Sequence, residues 1–143
     1  KYNLAIGENT AEDLKIKIGS ALSIEPPLMT DVTGRDMISG LPRTIAVTSD
    51  DTVEALQHDL GQLIEAVKDV LHATPPELSA DVMDKGIIMS GGSSMLRNLD
   101  ELVARATGVP TYVAEEPLLC VAKGTGIALE NLESYKRSIL ATR

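Results

Sequence analysis

Phenylalanine and tryptophan are absent from these 143 residues, and tyrosine occurs three times. Any core must therefore be assembled from Leu, Ile, Val, Ala and Met. There is one cysteine, Cys120. An internal disulfide framework is thereby excluded, and a reducing compartment fits. Basic residues are scarce: 13 Lys and Arg stand against 21 Asp and Glu, a net charge of −8. That balance argues against a nucleic-acid surface, which needs a basic patch to neutralise phosphates. It argues equally against a Lys- and Arg-rich helix lying on a membrane. No apolar run approaches the roughly 18 residues of a membrane span, and no secretory leader is visible. A starting methionine is missing too. The chain opens at Lys1 directly in strand-like sequence, which points to a segment of a longer protein. What remains is an apolar fraction of 43%, enough for a globular fold. The length suits one ordinary domain or one lobe of something larger.

Residues 2–6, "YNLAI", read as a short strand stopped by Gly7. In the following "ENTAEDLKIKIGSALSIEPP" two signals conflict. "LKIKI" alternates with period two, as a strand does. Thr10 followed by Asp13, with Ala11, Leu14 and Ile18 on one face, predicts a helix starting at Ala11 and ending near Gly19. The helix is the preferred reading, and Pro26 and Pro27 block its continuation. "MTDVTGRDMISGLPR" (29–43) reads as a hairpin, and "RTIAVTS" alternates as a half-exposed strand. Asp51 with Glu54 predicts a helix start. Val53, Leu56, Leu60, Leu63, Ile64, Val67, Val70 and Leu71 then recur at spacings of three and four, the clearest amphipathic helix in the chain. "TPPEL" ends it, and Pro76 opens a short helix over 77–83.

The stretch "KGIIMSGGSSMLRNLDELV" (85–103) carries the most pointed signal. Residues 86–90 form a short apolar run of the buried-strand type. Glycines and serines follow, and Ser94 or Asn98 can cap a helix through Leu102 and Val103 that Gly108 ends. A strand, a glycine turn and a helix start allow a phosphate or sugar to approach bare backbone. The spacing matches neither GxxxxGK[ST] nor GxGxxG, and a plain connecting turn satisfies the same pattern. "VPTYVA" reads as another strand. "EEPLLCVAKGTGIALENL" reads as a helix turning Leu118, Val121, Ala122 and Ala128 inward, with a charged helical tail over 130–143. The order of elements is α/β or α+β.

Four blocks, "YNLAIGENTAEDLKIKIGSA", "GRDMISGLPRTIAVTS", "TPPELSADVMDKGIIMSGGSSMLRNLDELV" and "TGVPTYVAEEPLLCVAKGTGIALENL", stand in order across nearly the whole chain. They resemble the carboxy-terminal half of the MreB/Mbl family of bacterial actins. The resemblance implies an α/β lobe of the actin/heat-shock-chaperone ATPase fold, which is ribonuclease H-like. Residues 1–12 and 73–143 would form an inner subdomain and 13–72 a small α+β outer one. It also implies a helix whose Glu12 and Lys15 face a nucleotide sugar and base. Opposite them, Gly91, Gly92, Ser93, Ser94 and Met95 would be the turn that contacts adenosine. The family usually has a third glycine where Ser93 stands, so a β-carbon narrows that approach. The family's phosphate-binding hairpins and its catalytic acid precede this segment. No catalytic residue and no metal ligand is therefore assigned, and the chain alone is expected to lack ATPase activity.

The resemblance further implies a whole protein that binds ATP with Mg²⁺ and polymerises with itself beneath the cytoplasmic membrane. It would guide cell-wall synthesis, together with cell-shape and cell-wall membrane proteins, to maintain a rod shape. Nucleic acid is not an implied partner, and membrane contact would come from parts outside this chain. The alternative is a lobe of another ATPase of the same superfold, a sugar kinase or chaperone. His58 and His72 lack companions at ligand spacing and read as surface histidines. Cys120 reads as a packed thiol. Asp100–Glu101 and Glu115–Glu116 read as solvated pairs.

Overall fold

The computed structural model describes residues 1–132 and 134–136. Helical structure expected of the tail over 137–143 lies outside the described residues. Three antiparallel strands, β1 (Leu4–Ala5), β2 (Met29–Asp36) and β3 (Pro42–Thr48), form one sheet in the order β1-β2-β3. The β2–β3 hairpin runs from Met29 opposite Thr48 to Arg35 opposite Pro42. Val32, Ile45 and Val47 occupy alternate positions and face the same core, as the period-two pattern requires. Gly34 lets β1 cross β2 closely: a β-carbon there would stand 2.4 Å from the Ala5 carbonyl oxygen.

α1 (Glu8–Ile18) is the expected helix, but it begins three residues before Ala11. Thr10 sits inside the first turn, and extended Gly7 is the cap, its carbonyl accepting from the Ala11 amide at 3.0 Å. The Glu8 carboxylate at this end suits the positive pole of the helix. α2 (Ser49–Ala73) likewise starts before Asp51. Thr48 closes β3 and caps α2 at once, in a reciprocal box with Asp51. α3 (Pro76–Lys85) opens on proline as anticipated. β4 (Ile87–Met89) and β5 (Thr111–Val113) pair in parallel, Ile88 opposite Tyr112. α4 (Leu99–Thr107) makes the crossover and ends on left-handed Gly108. α5 (Cys120–Glu130) follows a 3₁₀ turn, Pro117–Leu119.

Two cores result. Ile18, Val32 and Val47 build the first, with half-buried Leu4, Leu14, Leu28 and Ile45. Ala21, Ile64, Leu99 and Val103 build the second, with Leu60, Val67, Ile87 and Met89 packed against it. α2 enters the second core through Leu60, Ile64 and Val67, and at its start Ser49 is bonded to Leu28 beside the first.

Two expectations of burial fail in the same region. Leu118, Val121 and Ala122 are exposed instead of inward, Ala128 is only half-buried, and Ile88, in the run read as a buried strand, is 72% exposed. The reason is shared. Parallel strands are ordinarily covered on both faces, but β4 and β5 form a sheet of only two strands among the described residues. α5 therefore has little sheet beneath it and packs chiefly on the turn that precedes it.

Candidate functional site

Between β4 and α4 the chain turns through Gly91 and a 3₁₀ segment, Gly92–Met95. Gly91 has φ 86° and ψ 171°, a conformation essentially reserved for glycine. Its amide donates to the Pro117 carbonyl at 2.9 Å. Its carbonyl accepts from the Ser94 hydroxyl at 2.7 Å and, more loosely, from the Ser94 amide at 3.3 Å. Ser94 is buried and its hydroxyl is committed inward. The turn is thus anchored from beneath. Its other face is open: Gly92, Ser93 and Met95 are exposed. A β-carbon added at Gly91 would meet nothing within 4 Å, and one at Gly92 only the Leu118 Cδ2 at 3.2 Å.

The segment leaving this turn is tied to the far end of α1. The Arg97 guanidinium donates to the Ile16 carbonyl at 3.1 Å and to the Gly19 carbonyl at 3.2 Å. Those carbonyls lie in the last turn of α1 and at its C-cap, where the helix leaves acceptors unpaired and its dipole favours a cation. The Arg97 carbonyl accepts from the Ala21 amide at 2.8 Å, and Ser20 bridges Arg97 in parallel. Asn98 Nδ2 donates to Oγ of Ser20, a fully buried residue. So α1 and the glycine turn are held by one set of bonds. Lys15 directly precedes Ile16 in this arrangement, and Glu12 lies three residues back, about 4.5 Å along the axis. Both side chains are exposed. Sequence reasoning missed Arg97 and Ser20, and named Asn98 only as a helix cap. The available signal was a lone arginine in the apolar "MLRNL" just past the turn.

Two carboxylates elsewhere are strongly engaged. Asp51 lies well below the usual carboxylate range, held there first by the Lys1 ammonium at 2.7 Å and then by the Thr48 amide. Tyr2 donates its hydroxyl to the same carboxylate at 2.9 Å. Asp36 is also lowered, first by the Ser39 amide, then by that of Ile38. It fixes the β2–β3 turn and pairs with Arg43. His58 contacts Gln62, Glu101 pairs with Arg105, and Glu116 pairs with Lys123. The half-buried Cys120 points its thiol towards the Glu115 and Glu116 carbonyls. Among the described residues no three His, Cys, Asp or Glu side chains gather to hold a metal. Among them, no helix is long and apolar enough to cross a membrane.

Comparison with known proteins bears on this arrangement. The family model described as "MreB/Mbl protein" matches residues 1–137. The cell shape-determining protein Mbl of Bacillus subtilis (strain 168) is 46% identical over 141 residues, covering 99% of this chain and 42% of that protein. The cell shape-determining protein MreB of Escherichia coli (strain K12) is 42% identical over 134 residues, covering 94% of this chain and 39% of that one. The chain thus spans about two fifths of the length of these relatives. The crystal structure of MreB5 of Spiroplasma citri bound to ADP superposes with a TM-score of 0.88 at 35% identity, over 97% of this chain and 41% of that one. A second MreB5 structure holds AMPPNP. The MamK double helical filament shares the fold, with a TM-score of 0.61 at 22% identity.

Proposed function

Since this chain belongs to the MreB/Mbl family, we propose that it is the nucleotide-facing second lobe of an ATP-binding, actin-like cytoskeletal protein. One observation carries the reading. Arg97 binds the C-terminal end of α1 to the segment leaving an open glycine turn, so two elements distant in sequence are held together, which supports a shared nucleotide face. The residues suit an adenosine. Bare backbone at Gly91 and Gly92 admits close approach. The Glu12 carboxylate can accept from ribose hydroxyls, and Lys15 stands beside it on the same helix. Ser93 and Met95 flank the site. Ser94 contributes position only, because its hydroxyl already caps Gly91. The MreB5 structures with ADP and AMPPNP support a nucleotide here by kinship.

The division into an outer subdomain (13–72) and an inner one (1–12 with 73–143) belongs to the same proposal. The first core lies mainly in the outer part and the second mainly in the inner. The seam is blurred, because Leu4 joins the first core while Leu60, Ile64 and Val67 join the second. In the whole protein, ATP with Mg²⁺ supplies a phosphate-dependent bias between lobe arrangements. The protein polymerises with itself as filaments beneath the cytoplasmic membrane, and with cell-wall-synthesis membrane proteins it maintains rod shape. Its contact with the membrane is made by parts outside these residues.

Sedimentation of the full-length protein tests this. ATP-dependent pelleting that is lost in Gly92→Val is the expected result. A soluble protein that phosphorylates sugars would sink the proposal. The 143-residue chain alone should release phosphate from ATP no faster than buffer. A turnover abolished by Gly92→Val in the isolated chain would show that the machinery is complete without the preceding half.

A further inference from the structure

Outside the glycine turn, the chain holds a trough of about 680 Å³ between α1, the three-stranded sheet and the first turns of α2. That volume falls within the roughly 300–1,000 Å³ of small-molecule pockets. Its walls are apolar: Leu14, Val32, Ile45, Val47 and Leu56 line it. The trough exists for a compositional reason. α1 and α2 both flank the sheet, and the residues lining the gap from each helix include the small Ala11 and Ala55. With no Phe or Trp anywhere in the chain, no side chain is bulky enough to fill the wedge.

The mouth decides what the trough can hold. Lys1, Tyr2, Lys15 and Asp51 border it. Asp51 is already saturated, accepting from Lys1, the Tyr2 hydroxyl and both the amide and hydroxyl of Thr48. Lys1 is shared between Asp51 and Glu54. Thr52 spends its hydroxyl on the Ser49 carbonyl at 2.6 Å. Lys15 alone among these charged groups has no ion-pair partner among the described residues. An apolar channel ending at one uncompensated ammonium is complementary to a flexible apolar tail with a single anionic head. We propose that this trough binds a single-chain anionic amphiphile of the medium-chain carboxylate type, tail against Leu14, Ile45 and Leu56 and carboxylate on Lys15. The site is separate from the glycine turn. Lys15 is the one residue it shares with the proposed nucleotide face, and the inference stands whether or not nucleotide binds there.

Calorimetric titration of the chain with octanoate, decanoate and dodecanoate, each below its micelle concentration, tests the assignment. Saturable one-to-one binding is expected, tightening roughly fourfold per added methylene (about 0.8 kcal/mol). Lys15→Gln should weaken decanoate roughly three- to fivefold while leaving decanol unchanged, since a partly exposed ion pair contributes little more. Ala55→Phe places a ring in the trough from the α2 wall and should abolish saturable binding, with an unchanged circular dichroism spectrum. Methyl resonances of Leu14, Ile45 and Leu56 should shift with decanoate in the unmodified chain. Absence of saturable binding would overturn the proposal. So would binding that survives Ala55→Phe, which would locate the amphiphile on the exposed apolar surface of α5 instead. A decanoate-to-decanol ratio unaffected by Lys15→Gln would overturn the anionic part.

Discussion

Adjacent glycines in the turn should respond to alanine in opposite ways. Gly91 occupies φ 86° and ψ 171°. A β-carbon there has space, since nothing lies within 4 Å, so sterics with neighbours cost nothing. The backbone conformation itself costs about 1–3 kcal/mol for a residue with a side chain. Alanine also restricts the unfolded chain, which returns about 0.4–1 kcal/mol. Gly91→Ala should therefore destabilise by about 1–2 kcal/mol. With a urea slope of about 2 kcal/mol/M for a chain of this size, the midpoint falls by roughly 0.5–1 M. Gly92 is different. Its φ is not positive, and its new methyl group would press only on the Leu118 Cδ2 at 3.2 Å. Leu118 is 66% exposed and can swing away. Gly92→Ala should leave the midpoint within about 0.3 M, while narrowing the open face of the turn. Urea denaturation of both variants, followed by circular dichroism at constant slope, measures the contrast. Equal destabilisation by the two substitutions would refute the reasoning, as would a neutral Gly91→Ala. In the full-length protein the order should reverse for nucleotide: Gly92→Ala weakens binding despite a normal fold.

Other perturbations probe the scaffold. Thr48→Ala removes the reciprocal cap of α2 and should cost about 1 kcal/mol in the same urea assay. Val103→Ala opens the second core at a residue 1% exposed. Two methyl groups at about 0.8 kcal/mol each plus the residual cavity give about 2–3 kcal/mol. The depressed Asp51 pKa stabilises the fold at pH values above the ordinary carboxylate value near ~4. That contribution is lost as pH falls through the lowered folded-state value. Asp51→Asn should accordingly flatten the acid limb of stability against pH, and an unaltered acid limb would contradict the assignment.

The elements legible in the sequence were those whose signals are local. Alternation at Ile45 and Val47 marks β3, and the spacing from Leu56 to Leu71 marks α2; the hairpin read within 29–43 is instead β2 turning back to pair with β3. Pro76 and Gly108 punctuate where proline and glycine ordinarily do. Boundaries slipped where one residue serves two elements. Thr48 ends a strand and caps a helix, so Asp51 looked like the start when it is the third residue in. At α1, the cap is a glycine with no side chain to recognise. Burial of α5 was misjudged because an apolar face says only that something should cover it, and the described sheet here is two strands wide. The glycine turn was visible as a pattern. Its attachment to α1 was not, because it rests on Arg97 reaching carbonyls some eighty residues away in sequence, and main-chain acceptors leave no trace in composition.

α2 has a consequence for how the chain comes apart. Its 25 residues form one unbroken hydrogen-bonded rod, about 37 Å long. Ser49 at one end locks to Leu28 beside the first core, and Ile64 further along sits within the second. Neither half can melt without withdrawing support from the rod that the other leans on. Denaturation should be a single cooperative event, with probes placed at Tyr2 and at Tyr112 reporting the same midpoint.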